Sequence, residues 1–384
     1  MSAERLAAAH LPAAAGTAVD LAGAADEPEL RRLLRDNPLD GEIRVTFERE
    51  PDARLAAAAA GEPHATIVAR RPDGSLCGMG SRSVVDAFVD GRPCRLGYLS
   101  QLRLDRGERR RAGLLRLLAG GYGKLRERRP ADEAPFDLTT IVADNLPARR
   151  LLSAGLPGLP SYVELEPFVT LVLPVAGPPG GRRLPAGTEL ARGTRERLGE
   201  VAACLERNRR RCQFAPRFTA AQLLSPVRSR GLAPGDFHLA VRGGEVIGCL
   251  ALWDQSSFKQ VVVRGYGRRL ALLRPALNRL APLLGRPRLP APGELLPHAW
   301  ISHVAIDGDD PEVLAALVAA ARRAAAGRFH YLVTGFAERH PLLPRLRRRA
   351  REYRSILYAV CWDEGRAAVA ALDGRVPHLE AALL

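Results

Sequence analysis

Three consecutive arginines precede a glycine and a run of leucines in the first half of the chain. Arg109, Arg110 and Arg111 supply fixed positive charge, and guanidinium groups match the geometry of phosphate oxygens. Gly113 has no side chain, so a phosphate could approach the backbone closely at this point. The pattern predicts a site for a diphosphate, and the alternative is a solvated arginine turn before an ordinary helix.

A strand and a helix must hold this loop in place. Residues 96–104 alternate imperfectly between apolar and polar side chains, which is typical of a partly buried strand. The charged turn at 105–112 cannot be core, and the leucines at 114, 115, 117 and 118 form the apolar face of a helix. The first turn of a helix has N–H groups without partners and a partial positive charge. A strand, a turn and a helix start therefore make a suitable anion site.

Two motifs in this region resemble those of a known superfamily. Residues 110–115 (RRAGLL) resemble the R/Q-x-x-G-x-G/A loop of the GNAT superfamily of N-acetyltransferases, with Leu115 at the last small position. Residues 136–144 (FDLTTIVAD) resemble the superfamily's next strand, and residues 145–152 (NLPARRLL) resemble its N-x-x-A helix start. Both motifs occur in the superfamily's order. The resemblance implies that the first half is a GNAT domain.

The resemblance also implies which residues contact the co-substrate, acetyl-CoA or another acyl-CoA. In the superfamily, loop amides hold the diphosphate, and amides of the central strand, here around Gln101 to Leu104, hold the pantetheine and the thioester. The implied binding residues are Leu102, Arg103, Leu104, Arg109, Arg110, Arg111, Ala112, Gly113, Leu114, Leu115, Asn145 and Ala148. No metal is expected.

Acyl transfer from a thioester to an amine needs an acceptor for the amine proton, donors for the oxyanion and a proton for the thiolate. The superfamily commonly places a tyrosine in the helix after the asparagine motif as the acid, and Leu152 occupies that position here. Tyr162 is the nearest replacement in sequence, and Tyr98 and Ser100 on the central strand are the other candidates. For each tyrosine, the alternative to a role as the acid is a structural role as an aromatic side chain in the core or at its rim.

Four side chains are candidates for the base. They are Glu164, Glu166, Glu108 and His303. His303 lies within an apolar strand (WISHVAI), where a satisfied core histidine is the alternative.

Composition limits the class of protein. The chain has 384 residues with 47% apolar content, enough for two domains with cores of their own. No window approaches twenty uninterrupted apolar residues, so no membrane span is expected. The N-terminus shows no clear cleavage pattern, and the scattered cysteines lack CxxC spacing. These features favour a cytoplasmic protein with reduced thiols over a metal site or disulfides.

The net charge of +15 suggests nucleic acid as an alternative partner. However, Lys124 and Lys259 are the only lysines, and Ala, Gly and Pro are abundant, which indicates the bias of a GC-rich coding sequence. The arginines are spread over both halves with few aromatic residues among them. We therefore do not expect nucleic acid to be the natural partner.

The predicted fold class is α+β (mixed α/β), with two GNAT-like domains, each a mostly antiparallel sheet flanked by helices. Residues 1–25 are alanine-rich and predicted to be a low-complexity, disordered or frayed segment. The GNAT domain with the acyl-CoA site follows at 26–175, and 176–187 is a Gly- and Pro-rich linker. Residues 188–384 form a degenerate GNAT-like domain.

The second half repeats the order of elements without the motifs. Residues 237–253 predict a hairpin that turns at Gly243–Gly244, and Pro311 begins a clear helix. An acidic stretch, 307–310, replaces the basic loop, so we expect no coenzyme there. The arrangement resembles the tandem domains of N-myristoyltransferases and mycothiol synthase.

Two further features of the second half could serve a substrate. The proline-rich insertion 282–297 is predicted to be a surface loop or a loop that covers the substrate. The polar groups of residues 253–260 at a strand end could bind substrate, and a charged turn is the alternative.

The sequence thus predicts an acyl-CoA-dependent N-acyltransferase that moves an acetyl group to a primary amine held between the halves. The acceptor would be a small-molecule amine or a peptide N-terminus. A non-catalytic acyl-CoA sensor or scaffold and an arginine-rich nucleic-acid binder are the alternatives.

Overall fold

The computed structural model describes residues 16–39, 41–108, 113–176, 184–281, 283, 287–348 and 350–384. Its strands are β1 Ala18–Leu21, β2 Ile43–Glu48, β3 His64–Arg70, β4 Leu76–Val89, β5 Arg92–Leu104, β6 Glu133–Val142, β7 Ser161–Pro174, β8 Thr188–Arg192, β9 Phe237–Arg242, β10 Glu245–Trp253, β11 Gln260–Tyr266, β12 His298–Ile306, β13 Tyr331–Ala337 and β14 Arg351–Cys361. Its α-helices are α1 Glu27–Asp36, α2 Ala53–Ala60, α3 Leu114–Glu127, α4 Leu146–Leu152, α5 Leu198–Arg209, α6 Ala220–Leu223, α7 Arg268–Leu280, α8 Pro311–Ala325, α9 Leu343–Arg347 and α10 Arg366–Ala370.

One sheet of 12 strands runs through both halves of the chain, in the order β1-β3-β4-β5-β6-β14-β7-β13-β12-β10-β9-β8. Neighbours are antiparallel except for the pairs β5–β6 and β12–β13. The strand order is symmetric about its centre. Counted inwards from one edge of the sheet, β1, β3, β4, β5 and β6 take the positions that β8, β9, β10, β12 and β13 take counted inwards from the other edge. The mixed, mostly antiparallel architecture with two similar halves confirms the predicted fold class.

The two halves exchange their last strands. β14, from the end of the second half, lies between β6 and β7 of the first half, and β7 pairs in turn with β13 of the second half. The exchange joins the halves through main-chain hydrogen bonds along two strands of more than ten residues each. The linker predicted at 176–187 therefore stays a prediction about where the two halves of the sequence meet. The sheet is continuous across both halves.

A second, two-stranded sheet also connects the halves. β2 of the first half pairs antiparallel with β11 of the second, with Glu48 opposite Gln260 and Ile43 opposite Tyr266. The side chain of Gln260 adds two hydrogen bonds to the main chain of Glu50, both 2.9 Å long.

The central strand of each half has a β-bulge. Gln101 in β5 and His303 in β12 both have a φ of +53°, in the left-handed region that non-glycine residues seldom occupy. The pairing register with the neighbouring strand shifts beside both residues. The repeated bulge is independent support for the similarity of the halves.

Local predictions are confirmed where the pattern was strong. The hairpin at 237–253 forms as β9 and β10, and Gly243 and Gly244 at its turn both have positive φ. Helix α8 begins at Pro311, with Asp310 accepting hydrogen bonds from its first amides. The N-terminal prediction is wrong for the last part of the segment 1–25. Residues 18–21 form β1, because their main chain pairs with β3.

Candidate active site

The strands β5 and β6 form a fork. Their parallel pairing runs from Arg95 opposite Glu133 to Tyr98 opposite Leu138 and goes no further. β5 nevertheless continues to Leu104 and β6 to Val142, so the carboxyl ends of the two strands separate. Clefts outside the carboxyl ends of parallel strands are common ligand sites. We call this opening the first fork.

Side chains close the base of the first fork. The hydroxyl groups of Tyr98 and Thr140 lie 2.7 Å apart across the two strands, and Thr139 Oγ1 donates to the carbonyl oxygen of Leu99 at 2.9 Å. Burial raises the pKa of Tyr98 to about 12, against the smaller opposing effect of its bond with Thr140. The Tyr98 hydroxyl therefore stays protonated at neutral pH and is able to donate. Ser100, two residues along the same strand, is partly exposed.

The start of α3 lies beside the two strands of the first fork, because Leu114 packs against the apolar cluster that contains Leu99 of β5 and Ile141 of β6. Gly113, the N-cap residue of this helix, is buried and has no side chain with which to cap the first turn. The predicted phosphate-binding residues Arg109, Arg110, Arg111 and Ala112 lie outside the described residues.

Acidic residues before this helix are neutralised within the fold. Arg71 binds the carboxylates of Asp105 at 2.8 Å and Glu108 at 3.3 Å. Glu108 is buried, and its ion pair with Arg71 favours a structural role, so its role as a base stays a prediction.

Apolar side chains surround the mouth of the first fork. Leu102 at the end of β5, Leu115 in the first turn of α3, Val142 at the end of β6 and Leu146 at the start of α4 are each between 41% and 48% exposed. Exposed apolar side chains at the ends of neighbouring elements are typical of a ligand surface. The neighbouring Arg103, Leu104 and Leu114 are partly buried.

The predicted binding residues Asn145 and Ala148 form the start of helix α4. Asn145 is the N-cap of α4, and its side-chain oxygen accepts from the amide of Ala148 at 3.4 Å. The N-x-x-A pattern therefore specifies a helix start at the edge of the first fork. A contact with coenzyme remains a proposal.

Tyr162 lies apart from Tyr98. Its hydroxyl is 2.5 Å from that of Tyr122, and its ring packs edge-on against Tyr122 and Tyr358. These tyrosines belong to an apolar cluster with Leu152, whereas Tyr98 packs against a different cluster. Burial, together with the neighbouring Tyr122, raises the pKa of Tyr162 well above its usual value. Tyr98 and Ser100 thus stand two residues apart on β5, and Tyr162 lies in the other cluster.

Three other candidates for the base are engaged away from the first fork. Glu164 is exposed and pairs with Arg149 at 3.4 Å. Glu166 is buried, with its carboxylate 2.9 Å from the guanidinium of Arg339. Both stand on β7, three strands from β5.

His303, the third of them, is a core residue. It is fully buried, and its ring packs against Phe218, Phe237 and Trp253. Burial lowers its pKa well below the usual value, so the imidazole is neutral. The structure therefore favours the core histidine over the base.

The second half repeats the fork and fills it with its own chain. β12 and β13 pair only from His298 to Trp300, after which β12 passes through the bulge at His303. The main-chain amide of His303 donates to Glu380 Oε2 at 2.8 Å, and Arg209 Nη2 donates to the same oxygen at 2.7 Å. The short helix Ala381–Leu383 packs against both β12 and β13. The acidic stretch after β12 is also engaged, since Asp307 pairs with Arg207.

One cluster of the described residues has metal-ligating side chains, namely Cys212, His340 and His378, whose ligand atoms lie within 4.8 Å of one another. Hydrogen bonds account for the two imidazoles. The amide of Leu342 donates to His340 Nδ1 at 3.2 Å, which leaves Nε2 of the neutral ring to donate to His378 Nδ1 at 3.2 Å. A metal at His340 Nε2 would need the opposite tautomer, so the arrangement favours a hydrogen-bonded pair.

A pocket of about 400 Å³ lies at the strand end predicted to bind substrate. Its lining residues include Asp254, Ser256, Lys259 and Gln260 from that stretch. The proline-rich insertion contributes residues 295–297 to the wall. The two sequence features proposed to serve a substrate therefore meet at one pocket.

No helix in the part of the chain described here is both long enough and apolar enough to span a membrane.

No protein-family model and no curated protein sequence matches the chain. Solved structures do match. A GCN5-related N-acetyltransferase from Sphaerobacter thermophilus aligns with 91% of this chain and 96% of its own, at a TM-score of 0.52 and 16% identity. Saccharomyces cerevisiae N-myristoyltransferase with bound myristoyl-CoA aligns with 91% of this chain and 80% of its own, at 0.57 and 13%. A GCN5-related glucosamine N-acetyltransferase region of a fungal β-N-acetylglucosaminidase aligns with 91% of this chain and 38% of its own, at 0.58 and 15%. The chain therefore has the fold of the GCN5-related N-acetyltransferases across both halves.

Proposed function

We propose that this protein is an acyl-CoA-dependent N-acyltransferase that transfers an acetyl group to a primary amine. The observation that carries the proposal is the first fork, which opens between β5 and β6 beside the bulge at Gln101, on the strand whose chain continues to the start of α3. Exposed apolar side chains at its mouth suit the pantetheine arm, and the helix start suits the diphosphate. The filled second fork supports a single coenzyme site.

The chemistry requires little from the side chains. The neutral amine nitrogen attacks the thioester carbonyl, a C–N bond forms and the C–S bond breaks. The amine proton passes to solvent water, the thiolate gains a proton from an acid of the protein, and water reprotonates that acid. Main-chain amides of β5 beyond Tyr98, where pairing with β6 has ended, would donate to the oxyanion. Tyr98, whose hydroxyl remains protonated, would supply the proton to the thiolate.

Calorimetric titration with acetyl-CoA tests the coenzyme site. We expect wild type to bind and the double variant Arg110→Ala with Gly113→Glu to lose binding, because a carboxylate at the helix start repels a diphosphate. The matched control is Arg195→Ala with Gly199→Glu at the start of α5, where no atom lies within 4 Å of the added Cβ. Absence of binding by wild type would refute the proposal.

Release of free CoA thiol on a panel of primary amines tests the reaction. Coenzyme binding without turnover of any amine would favour the sensor alternative. Salt-dependent DNA binding that survives neutralisation of Arg109 to Arg111 would favour a nucleic-acid binder with its surface elsewhere.

A further inference from the structure

Helix α7 turns apolar side chains away from the fold. Among the described residues, six of the thirteen large apolar side chains that are exposed lie between residues 272 and 295, so they are clustered rather than scattered. All 13 residues of α7 are described, and none is buried. Four of its leucines are between 41% and 82% exposed, and Leu283, which follows the helix, is 83% exposed. The four are Leu272, Leu273, Leu277 and Leu280.

Polar groups attach the opposite side of α7 to the fold. Arg274 Nε and Asn278 Nδ2 both donate to the carbonyl oxygen of Leu289, at 3.2 and 3.0 Å. The amide of Leu289 donates in turn to Asn278 Oδ1 at 2.7 Å. The guanidinium of Arg274 also lies over the ring of Tyr266, 5.6 Å from its centre. Leu270, which is partly buried, precedes Arg274 by four residues and lies on the same side of the helix. The side of α7 that carries the exposed leucines is therefore free to bind a partner.

Arginines border the exposed leucines. Arg268 and Arg279 stand four residues before and seven residues after Leu272, which places them beside it on the helix surface. Arg268, Arg269 and Arg279 are exposed, and none of them forms an ion pair within the part of the chain that the structure describes. The sequence from residue 268 to residue 293 contains six arginines and no Asp or Glu. Positive charge therefore accompanies the apolar surface.

This combination fits the surface of an anionic membrane. An interfacial helix lies in the plane of the bilayer and buries its apolar side at the boundary between headgroups and acyl chains. Long arginine side chains reach from that depth to the headgroups, where anionic lipids attract them. A lipid surface thus covers the leucines and balances the arginines at the same time.

A second copy of the chain fits this surface less well. A two-fold contact brings the same patch of both copies together, so the arginines of α7 would meet each other. The adjoining segments supply two exposed carboxylates, Glu42 before the first turn and Glu294 in the following loop, against the four exposed arginines 268, 269, 279 and 288. Nucleic acid would balance the arginines but leave the leucines in contact with water.

We propose that α7, together with Leu283, docks this protein on the surface of an anionic lipid bilayer. Thirteen residues are too few to span the hydrocarbon core, so the helix would lie on the membrane and not cross it. The inference goes beyond the proposed function and does not depend on it, because α7 follows β11 of the two-stranded sheet and is not part of the first fork.

Vesicle flotation with the full-length protein tests the proposal. Vesicles of phosphatidylcholine alone are compared with vesicles that contain about 30% phosphatidylglycerol. We expect wild type to bind the anionic vesicles about 10-fold or more tightly than the neutral ones, and added salt to weaken this binding. A wild type that binds neither kind of vesicle, or both equally, would overturn the proposal.

Two double variants separate the apolar from the charged contribution. The leucine variant, Leu272→Gln with Leu280→Gln, should weaken binding to anionic vesicles by about 10-fold or more, because it removes apolar area that enters the bilayer. The arginine variant, Arg268→Gln with Arg279→Gln, should weaken it by about 10-fold or more and reduce the preference for anionic lipid. Wild-type binding by either variant would contradict the proposal.

Matched controls lie elsewhere on the surface. Val227→Gln with Tyr353→Gln changes two apolar side chains that are 45% and 53% exposed, and Arg92→Gln with Arg195→Gln removes two exposed arginines. Both controls should bind anionic vesicles as wild type does. If the control arginines matter as much as those of the arginine variant, the net charge of the whole protein and not α7 attracts it to lipid, and the proposal fails.

Two further measurements distinguish lipid docking from self-association and from a structural role. In analytical ultracentrifugation, a wild-type dimer that the leucine variant converts to a monomer would show that a second copy covers α7, against the proposal. Thermal unfolding of the leucine variant should give a melting temperature within about 2 °C of wild type, because both leucines are exposed. A much lower melting temperature would show that the leucines stabilise the fold instead.

Discussion

The carboxylate of Glu380 accepts a hydrogen bond of 2.8 Å from the main-chain amide of His303. His303 holds the bulge position in β12 that Gln101 holds in β5. In the second half, a carboxylate of the chain thus lies beside the bulge. The corresponding place beside the bulge of the first half is the first fork. The same carboxylate is the acidic partner of the fully buried Arg209.

Substitution of Glu380 should destabilise the protein strongly. Glu380→Gln leaves the Arg209 guanidinium buried without its counter-charge, which typically costs about 3 kcal/mol in the free energy of unfolding. Denaturant unfolding measures the change. Glu364→Gln is the control, because Glu364 and its partner Arg126 are both about half exposed and such pairs contribute about 1 kcal/mol or less. Equal effects of the two substitutions would contradict the role assigned to Glu380.

The hydroxyl of Tyr98 should matter more for turnover than that of Tyr162. Tyr98→Phe should lower kcat by about 10- to 100-fold, because the phenol at the base of the first fork donates the proton to the thiolate. Tyr162→Phe should change kcat by about threefold or less, since its hydroxyl is bonded to Tyr122 in a separate cluster. Steady-state kinetics with a productive amine provide the measurement. A larger loss of kcat in Tyr162→Phe than in Tyr98→Phe would indicate that Tyr162 is the acid.

Stability should fall as the solution is made acidic. Burial lowers the pKa of His64 from 6.5 to about 4, so the unfolded chain binds a proton that the folded chain does not between those values. The stabilising contribution is therefore complete above about pH 6.5 and is lost as the pH falls through about 4. Unfolding free energies measured across this range should show a shallower slope for His64→Gln, whose amide can still bond to Ser83. An unchanged slope would contradict the assignment.

A methyl group at Gly97 should disrupt a buried ionic cluster. An added Cβ would overlap Asp137 Oδ1 and would lie 2.6 Å from Arg82 Nη2, so this pair would have to separate. We expect Gly97→Ala to lower the free energy of unfolding by about 2 kcal/mol or more.

The matched control for Gly97 is Gly123, within α3. No atom lies within 4 Å of an added Cβ at Gly123, and alanine has the higher helix propensity, so Gly123→Ala should stabilise the protein by about 0.5–1 kcal/mol. Thermal and denaturant unfolding measure both changes. A stabilising Gly97→Ala would show that the ionic cluster is not closely packed around the glycine.

Local pattern and chemistry were enough to predict many elements of this protein. The leucine pattern predicted α3, a proline start predicted α8, turn glycines predicted the hairpin of β9 and β10, and the order of elements together with two short motifs predicted the fold class. These features depend on residues close in sequence, whose propensities act before any tertiary contact forms. The sequence also indicated the region of the first fork.

The tertiary structure alone decided which distant residues meet. The insertion of β14 between β6 and β7, the contact of Glu380 with His303 and the pairing of β2 with β11 join residues far apart in the chain. A single arginine or glutamate carries no local signal of its burial or partner, because both depend on how the halves pack. Tyr98 and Tyr162 are a further example. The sequence proposed both as candidates for the acid, and only the packing of the chain shows that they lie in different clusters.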